Sequence, residues 1–127
     1  MGYRSVLAIA IKKKAFEKHV GEAIKDFKTC DSIKQTKDTV TFYWDGVKWY
    51  EDYEDVKSVM GVLAKLEEED YGFLRVGEDD EDIERLGDPY DFELYLSRSI
   101  SLDYCGDDVT KEEFFAPNSI KFIKEDA

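Results

Sequence analysis

A short run of uninterrupted apolar residues near the start of the chain constrains the fold more than any other feature. Residues Val6 to Ile11 read VLAIAI, six consecutive positions without a polar side chain. Side chains alternate between the two faces of a sheet, so a strand that is apolar throughout must be covered on both faces. The run therefore predicts a central strand in a layered protein.

Two longer segments carry apolar residues at helical spacing. From Lys14 to Phe27 and from Tyr53 to Glu69, apolar side chains recur every three or four positions with charged residues between them. This spacing predicts two amphipathic helices, each with one face against a core. The apolar positions are Phe16, Val20, Ala23, Ile24 and Phe27 in the first segment, and Val56, Val59, Met60, Leu63 and Leu66 in the second.

The segment between the two helices predicts a β-hairpin. Thr39 to Tyr50 reads TVTFYWDGVKWY, two runs of aromatic and β-branched residues around Asp45-Gly46. An Asp-Gly pair between such runs is a strong signal for a two-residue hairpin turn, in which both turn residues take positive φ.

The remaining chain predicts further strands. Tyr71 to Val76 reads as a short strand, and the alternation from Phe92 to Leu102, which Arg98 interrupts, reads as a long final strand paired with it. Between them, Ile83 and Leu86 indicate a short helical turn that Gly87 and Pro89 end. The apolar tail, with Phe114, Phe115, Ile120, Phe122 and Ile123, is expected to pack back on the body.

The order strand, helix, hairpin, helix, strand, strand predicts an α+β fold. It fits a ferredoxin-like (split β-α-β) sandwich, a mainly antiparallel sheet with two helices on one face plus an extra C-terminal strand and tail. The length of 127 residues predicts one domain over residues 1–127. Such a fold hosts many unrelated activities and does not by itself indicate a function.

Charge excludes some partners and favours others. The chain has 30 acidic and 18 basic residues, a formal net charge of -12. Such a field repels nucleic-acid phosphates and anionic lipids, so we expect neither direct nucleic-acid binding nor membrane docking. It favours encounter with a basic protein. The only cysteines, Cys30 and Cys105, and the lack of a signal-peptide or membrane-spanning pattern predict a cytoplasmic protein with reduced thiols.

Motifs for catalysis are missing from the sequence. His19 is the only histidine, and its helical position beside the apolar stripe is typical of a boundary residue rather than of a partner for Cys30. The sequence contains no phosphate-binding glycine loop, nucleophile elbow or zinc-ligand spacing. We therefore predict a protein that is not an enzyme and that needs no metal or cofactor.

A dense acidic run is the first candidate site. It comprises Glu78, Asp79, Asp80, Glu81, Asp82 and Glu84. The run lacks the alternating ligand spacing of a calcium loop. A solvated loop, a surface for a basic protein, a nucleic-acid mimic and a site for a hard cation remain as interpretations, since spaced carboxylates can imitate a phosphate backbone or bind a cation.

An aromatic and basic group is the alternative ligand-binding candidate. It comprises Trp44, Lys48, Trp49, Tyr50 and Arg75. Aromatic faces stack on bases, and Lys and Arg bind phosphate. The group would suit a protein that sequesters a small signalling nucleotide; the competing interpretation is an ordinary core hairpin with paired basic residues.

Three segments resemble a known family. They are GYRSVLAIAI at Gly2 to Ile11, VKWYEDYEDV at Val47 to Val56 and FLRVGEDDEDIE at Phe73 to Glu84. Together they look like a family of small, largely uncharacterised bacteriophage and prophage proteins with YRS, VKWY and FxRxGE…DIE segments. The resemblance carries over no site residue. It implies a phage origin and, by association, a host-takeover or counter-defence role in the host cytoplasm.

These observations lead to one main hypothesis and two alternatives. The main hypothesis is a non-enzymatic binding protein that inhibits a basic host protein, one that handles nucleic acid, through the acidic run. The alternatives are a nucleotide sponge that uses the aromatic and basic group, and an oligomeric phage structural or assembly component whose edge strand and tail supply interfaces.

Overall fold

A computed structural model of the chain describes residues 3–79, 81–96 and 100–116. Within these ranges the strands and helices, in chain order, are β1 (Ser5–Lys12), α1 (Lys13–His19), α2 (Ile24–Phe27), β2 (Ser32–Gln35), β3 (Thr39–Val47), α3 (Glu54–Leu63), β4 (Tyr71–Gly77), β5 (Ile83–Gly87), β6 (Tyr95–Leu96), β7 (Ile100–Ser101), β8 (Asp107–Val109) and α4 (Lys111–Phe114). The fold is α+β.

Six of the described strands form one antiparallel sheet. Their order is β5-β4-β1-β3-β2-β8, and every neighbouring pair is antiparallel. The prediction of a central strand at Val6 to Ile11 is confirmed, since β1 lies between β3 and β4 and its residues from Leu7 to Ile11 are fully buried.

The helices cover one face of this sheet. Leu7, Ile9 and Ile11 of β1 point to this helical face and share one hydrophobic cluster with side chains of α1, α2 and α3. The predicted helical stripes are confirmed for Phe16, Val20, Ala23, Phe27, Val56, Val59 and Leu63, all of which are buried. Phe114 and Phe115 complete the same cluster, so this part of the predicted tail packs on the body; Ile120, Phe122 and Ile123 lie outside the described residues.

Residues 89–96 and 100–105 cover the opposite face. Ala8 and Ala10 of β1 point to this second face, where they pack with Leu74 of β4 and with Phe92, Leu94, Ile100 and Cys105. The small alanine side chains let the covering segment approach the sheet closely. The sheet is thus apolar on both sides, as the VLAIAI run requires.

The hairpin predicted at Asp45-Gly46 is wrong. β3 continues through both residues and pairs with β1, with Asp45 opposite Val6 and Val47 opposite Ser5. The register shift makes Gly46 the extra residue of a β-bulge, and its φ of 86° serves that bulge rather than a turn. The chain then stays on the helical face because the Trp49 ring packs 5.8 Å from the Trp44 ring.

The long final strand predicted from Phe92 to Leu102 is also wrong. Pro89–Phe92 form a 3₁₀ turn, and β6 and β7 pair only with each other. The position beside β4 is taken by β5, which replaces the helical turn predicted around Ile83 and Leu86. The alternating pattern instead reflects a segment that lies across the second face. Arg98 lies outside the described residues.

The predicted helix boundaries are only approximately right. Gly21, with φ 49°, interrupts the first predicted helix and separates α1 from α2. The second ends at Leu63 rather than Glu69. The sequence patterns also missed the short strands β2 and β8. In the part of the chain that the structure describes, no helix is long and apolar enough to cross a membrane.

Candidate functional site

The acidic run forms the connection between β4 and β5. Its backbone closes on itself, because the Gly77 amide donates to the Asp82 carbonyl at 2.8 Å and the Asp82 amide donates to the Asp79 carbonyl at 2.8 Å. These two hydrogen bonds hold the described part of the connection, residues 77–79 and 81–82, close to the start of β1.

Arg75 of β4 binds two of the predicted carboxylates. Its guanidinium donates to both oxygens of Asp82, at 2.8 and 3.2 Å, and to Oε1 of Glu84 at 3.0 Å. It also donates to the hydroxyl of Ser5, which is buried, at 2.9 Å. The side chain of Arg75 is only 14% exposed, so this ion-pair cluster belongs to the body of the protein.

Tyr3 and Gly77 complete this cluster. The Tyr3 hydroxyl donates to Asp82 at 2.8 Å and accepts from the amide of Asp79 at 3.1 Å. A Cβ atom at Gly77 would lie 2.1 Å from the Tyr3 hydroxyl and 2.3 Å from Asp82 Oδ2. Hydrogen bonds from Arg75 and then from Tyr3 lower the pKa of Asp82 below its usual value.

The predicted acidic surface is thus divided. Asp82 and Glu84 turn inward to Arg75, whereas Glu78, Asp79 and Glu81 are exposed. Asp80 lies outside the described residues. Even the exposed members have local partners, since Glu78 accepts from the Arg4 amide at 3.1 Å and Asp79 accepts from the Glu81 amide at 3.0 Å.

The aromatic and basic group serves the interior. Trp44 is buried and its indole N–H donates to the Thr29 hydroxyl at 3.0 Å. The Trp49 ring lies between the rings of Trp44 and Phe73, with centroids 5.8 and 6.5 Å away and ring planes tilted by 52° and 38°. Because Trp44 is buried and Trp49 contacts two other rings, both indoles contribute to core packing.

Two of the remaining members of this group, Tyr50 and Arg75, also have partners within the protein. The Tyr50 hydroxyl accepts from the Tyr3 amide at 2.6 Å, and Arg75 is held in the ion-pair cluster. Lys48 is half-buried on the segment after β3. The structure therefore uses most of the predicted ligand-binding group for packing and for tying the N-terminus to the sheet.

The most distinctive exposed feature is a row of three tyrosines on the covering segment. Tyr90, Tyr95 and Tyr104 are 53%, 37% and 72% exposed. The ring centroids of Tyr90 and Tyr95 are 6.2 Å apart, and those of Tyr95 and Tyr104 are 6.4 Å apart. We call this row the tyrosine triad. It presents contiguous aromatic area to solvent above the second face of the sheet.

Carboxylates border the tyrosine triad. Glu93 accepts a hydrogen bond from the Tyr95 hydroxyl, which raises the pKa of Tyr95. Asp88 and Asp91 lie close enough to share a hydrogen bond, which raises the pKa of Asp91. Asp103 accepts from Ser101 at 3.3 Å on the other side. The surface thus combines aromatic rings with negative charge.

The backbone at Glu93 fixes this arrangement. Glu93 has φ 63°, in the left-handed region that non-glycine residues seldom adopt. The conformation ends the 3₁₀ turn, because the amides of Glu93 and Leu94 donate to the carbonyls of Tyr90 and Pro89, at 3.1 and 3.0 Å. The turn places Tyr90 and Glu93 on the outer surface while Leu94 is fully buried.

The sequence patterns missed the tyrosine triad. When residues 92–102 are taken as one strand, Tyr95 becomes a single outward residue, and Tyr90 and Tyr104 belong to unrelated loops. One signal in the sequence could have indicated it. In the alternation from Phe92 onward, the apolar residues Phe92 and Leu94 lie against the sheet, and the residues that alternate with them, which include Tyr95, face outward.

Both cysteine thiols lie in the interior. Burial raises the pKa of the Cys30 thiol to about 12 and also raises that of Cys105, so both thiols favour the protonated, unreactive form. Within residues 3–79, 81–96 and 100–116, no three His, Cys, Asp or Glu side chains converge as a metal site requires.

Comparisons of the chain with protein-family models, with curated proteins and with solved structures found no match.

Proposed function

We propose that this chain is a non-enzymatic binding protein that engages a basic, arginine-bearing protein surface through the tyrosine triad and its carboxylate border. The single observation that carries the proposal is the contiguous exposed row of Tyr90, Tyr95 and Tyr104 beside Asp91, Glu93 and Asp103. Phe92 and Leu94, which neighbour the triad and its border in sequence, pack on the sheet.

Tyrosine suits this role for physical reasons. Its ring supplies large contact area at a low entropic cost, and tyrosine is enriched at protein interfaces and in their energetic hot spots. Exposed aromatic patches on a folded surface commonly mark interaction sites. Three adjacent exposed rings therefore form a better candidate interface than the acidic turn, whose carboxylates mostly bind groups of the protein itself.

The carboxylate border selects the partner. An arginine guanidinium stacks on an aromatic face and binds a neighbouring carboxylate in two-point fashion. A lysine ammonium lacks the planar fork that makes both contacts at once. The net charge of -12 adds long-range attraction for a basic surface. The triad supplies the short-range contacts that pure charge does not.

We propose further that the sheet and the helices form a ferredoxin-like core. The order β4-β1-β3-β2, antiparallel at each step, with α1 and α2 joining β1 to β2 and α3 joining β3 to β4, supports a ferredoxin-like core. In this description β5 and β8 extend the two edges, and the segment carrying the triad covers the face opposite the helices. The phage origin and the counter-defence role rest on the three resembling segments alone.

The proposal can be tested with two peptide probes, nona-arginine and nona-lysine, titrated by isothermal calorimetry. We expect nona-arginine to bind more tightly, by about threefold to tenfold, since each stacked guanidinium contributes about 0.5–1 kcal/mol at an exposed ring. The double substitution Tyr90→Ser with Tyr104→Ser should remove this preference. Tyr53→Ser removes an exposed tyrosine outside the triad and serves as the matched control.

Two results would refute the proposal. One is equal affinity for the two peptides, which would mean that charge alone attracts them. The other is a nona-arginine preference that survives loss of Tyr90 and Tyr104 but disappears in the double variant Glu78→Gln with Glu81→Gln, which would move the binding site to the acidic turn.

A further inference from the structure

A lysine-lined cleft lies at the end of the sheet where β1 runs into α1, and Lys12 in its lining also lines a neighbouring pocket with Asp91, Glu93 and Tyr104. Its lining includes the ammonium groups of Lys12, Lys14, Lys18 and Lys65 and the imidazole of His19, and its volume is about 370 Å³. Ala15 and Leu66, which pack against the core, also line it. The lysines come from β1, from α1 and from the segment after α3, so the tertiary fold brings them together.

The charges in this cleft are poorly compensated by the protein itself. Lys12 lies 3.5 Å from Asp70, in an ion pair whose side chains are 50% and 29% exposed. Glu67 is the other carboxylate in the lining. Across the three described ranges, Lys14, Lys18 and Lys65 form no ion pair, although the chain has 30 acidic residues that could have supplied one.

Local charge decides what such a cleft attracts. At physiological ionic strength, exposed charges more than about 8 Å apart are largely screened from each other. A small anion inside the cleft therefore interacts mainly with the groups that line it, four lysine ammonium groups against the carboxylates of Glu67 and Asp70, rather than with carboxylates farther away on the acidic surface. A long polyanion would extend onto that acidic surface and be repelled.

We propose that this cleft binds the phosphate group of a small molecule. Lysine binds phosphate as a point charge, and four ammonium groups supplied by three segments of the chain match a group with several negative oxygens. The cleft volume suits a small molecule, and the apolar floor offers contact area to whatever the phosphate is attached to. The cleft adjoins the protein-binding surface proposed above through Lys12, whereas Lys14, Lys18 and Lys65 line the cleft and not the pocket beside Tyr104.

The single histidine provides a clean reporter. Pyrophosphate is titrated into the full chain at fixed pH and ionic strength, and the imidazole Cε1–H resonance of His19 is followed by proton NMR. Because the chain has one histidine, the resonance needs no assignment. We expect a saturable shift.

Matched charge variants locate the binding. Lys14→Gln with Lys18→Gln should weaken pyrophosphate binding by about tenfold, since two of the four ammonium groups that attract the anion are lost from the lining. Lys48→Gln with Lys57→Gln removes the same charge outside the cleft lining and should change affinity less than about twofold. Far-UV circular dichroism checks that both variants fold.

Three outcomes would overturn the proposal: a shift that grows linearly without saturation, the same shift with sodium chloride at equal ionic strength, or equal weakening in the two double variants. None of them bears on the tyrosine triad, whose own test uses peptide probes and different residues.

Discussion

Replacement of Arg75 tests whether its side chain stabilises the fold or is free to bind a ligand. The sequence alone made Arg75 a candidate to bind a phosphate, whereas the structure uses its guanidinium to hold Ser5, Asp82 and Glu84 together. Arg75→Met keeps much of the apolar stem and removes the four hydrogen bonds. If the cluster is structural, the variant must lose stability.

The expected loss is about 2 kcal/mol. The side chains of Asp82 and Glu84 are 37% and 41% exposed, so water replaces much of what they lose, and each ion pair is worth about 0.5 kcal/mol. The hydroxyl of Ser5 is buried and loses its partner, at a cost of about 1 kcal/mol. In a chain of this size the sum corresponds to a fall in Tm of about 6–10 °C.

Urea unfolding at pH 7 measures this loss, with Arg75→Lys as the companion variant. Lysine keeps the charge but cannot bond all three partners, so we expect it to restore less than half of the lost stability. A stability of Arg75→Met within about 0.5 kcal/mol of wild type would refute the structural assignment, because surface changes without structural consequence fall in that range.

The same comparison has a defined pH dependence. The pKa of Asp82 is lowered in the folded state by Arg75, so the unfolded state binds the proton more readily. The stabilisation is therefore present above the unfolded pKa, about 3.9, and is lost as the pH falls through the folded value. The difference between wild type and Arg75→Met should stay constant from about pH 7 to 5 and shrink below about pH 4.

Three further predictions test the fold. Leu94→Ala should cost about 2–4 kcal/mol in urea unfolding, since Leu94 is fully buried against the second face; a loss below 1 kcal/mol would mean that the covering segment is not docked. Gly61→Ala, in an open helical position, should raise the stability by about 0.5–1 kcal/mol, and a loss of stability would contradict that helical position. Gly46→Ala should lower the stability by about 1 kcal/mol because Gly46 has a positive φ, and a gain of stability would contradict the bulge. Cys30 and Cys105 should resist a thiol reagent at pH 8 in the native protein and both react in denaturant, and rapid native labelling would show that the thiols are not buried.

Strong local patterns predicted the parts of the fold that local physics controls. The VLAIAI run could only be a central strand, because no edge position covers six consecutive apolar residues. The two helical stripes were also predicted correctly, because apolar residues spaced three and four apart place one face of a helix on the core, although Gly21 divides the first helix. Where burial and periodicity agree, tertiary structure leaves few alternatives.

The sequence patterns failed where two tertiary arrangements share one local pattern. Positive φ at Gly46 fits a hairpin turn and a β-bulge equally well, and pairing of Val47 with Ser5 decides between them. Alternation from Phe92 onward fits a paired strand and a segment laid over a face equally well. Because β5 pairs with the edge of β4, the segment from Phe92 cannot pair there. The local sequence pattern does not contain this tertiary information.

The candidate site shows the same limit. The acidic run is conspicuous in sequence because its charges are consecutive, yet two of its members, Asp82 and Glu84, compensate Arg75. The tyrosine triad is inconspicuous in sequence because its members are spread over 15 positions, and only the covering segment brings them together. Surface sites assembled from separate loops require the fold before they can be recognised.

The central claim is that the tyrosine triad, and not the acidic turn, receives a basic partner. The most direct measurement is a map of backbone amide NMR shifts when nona-arginine is added to the uniformly ¹⁵N-labelled chain at about 0.15 M salt, where diffuse attraction is screened. We predict that the largest shifts fall in residues 88–95 and 103–105. Shifts concentrated in residues 78–82, or spread evenly over the acidic surface, would contradict the claim.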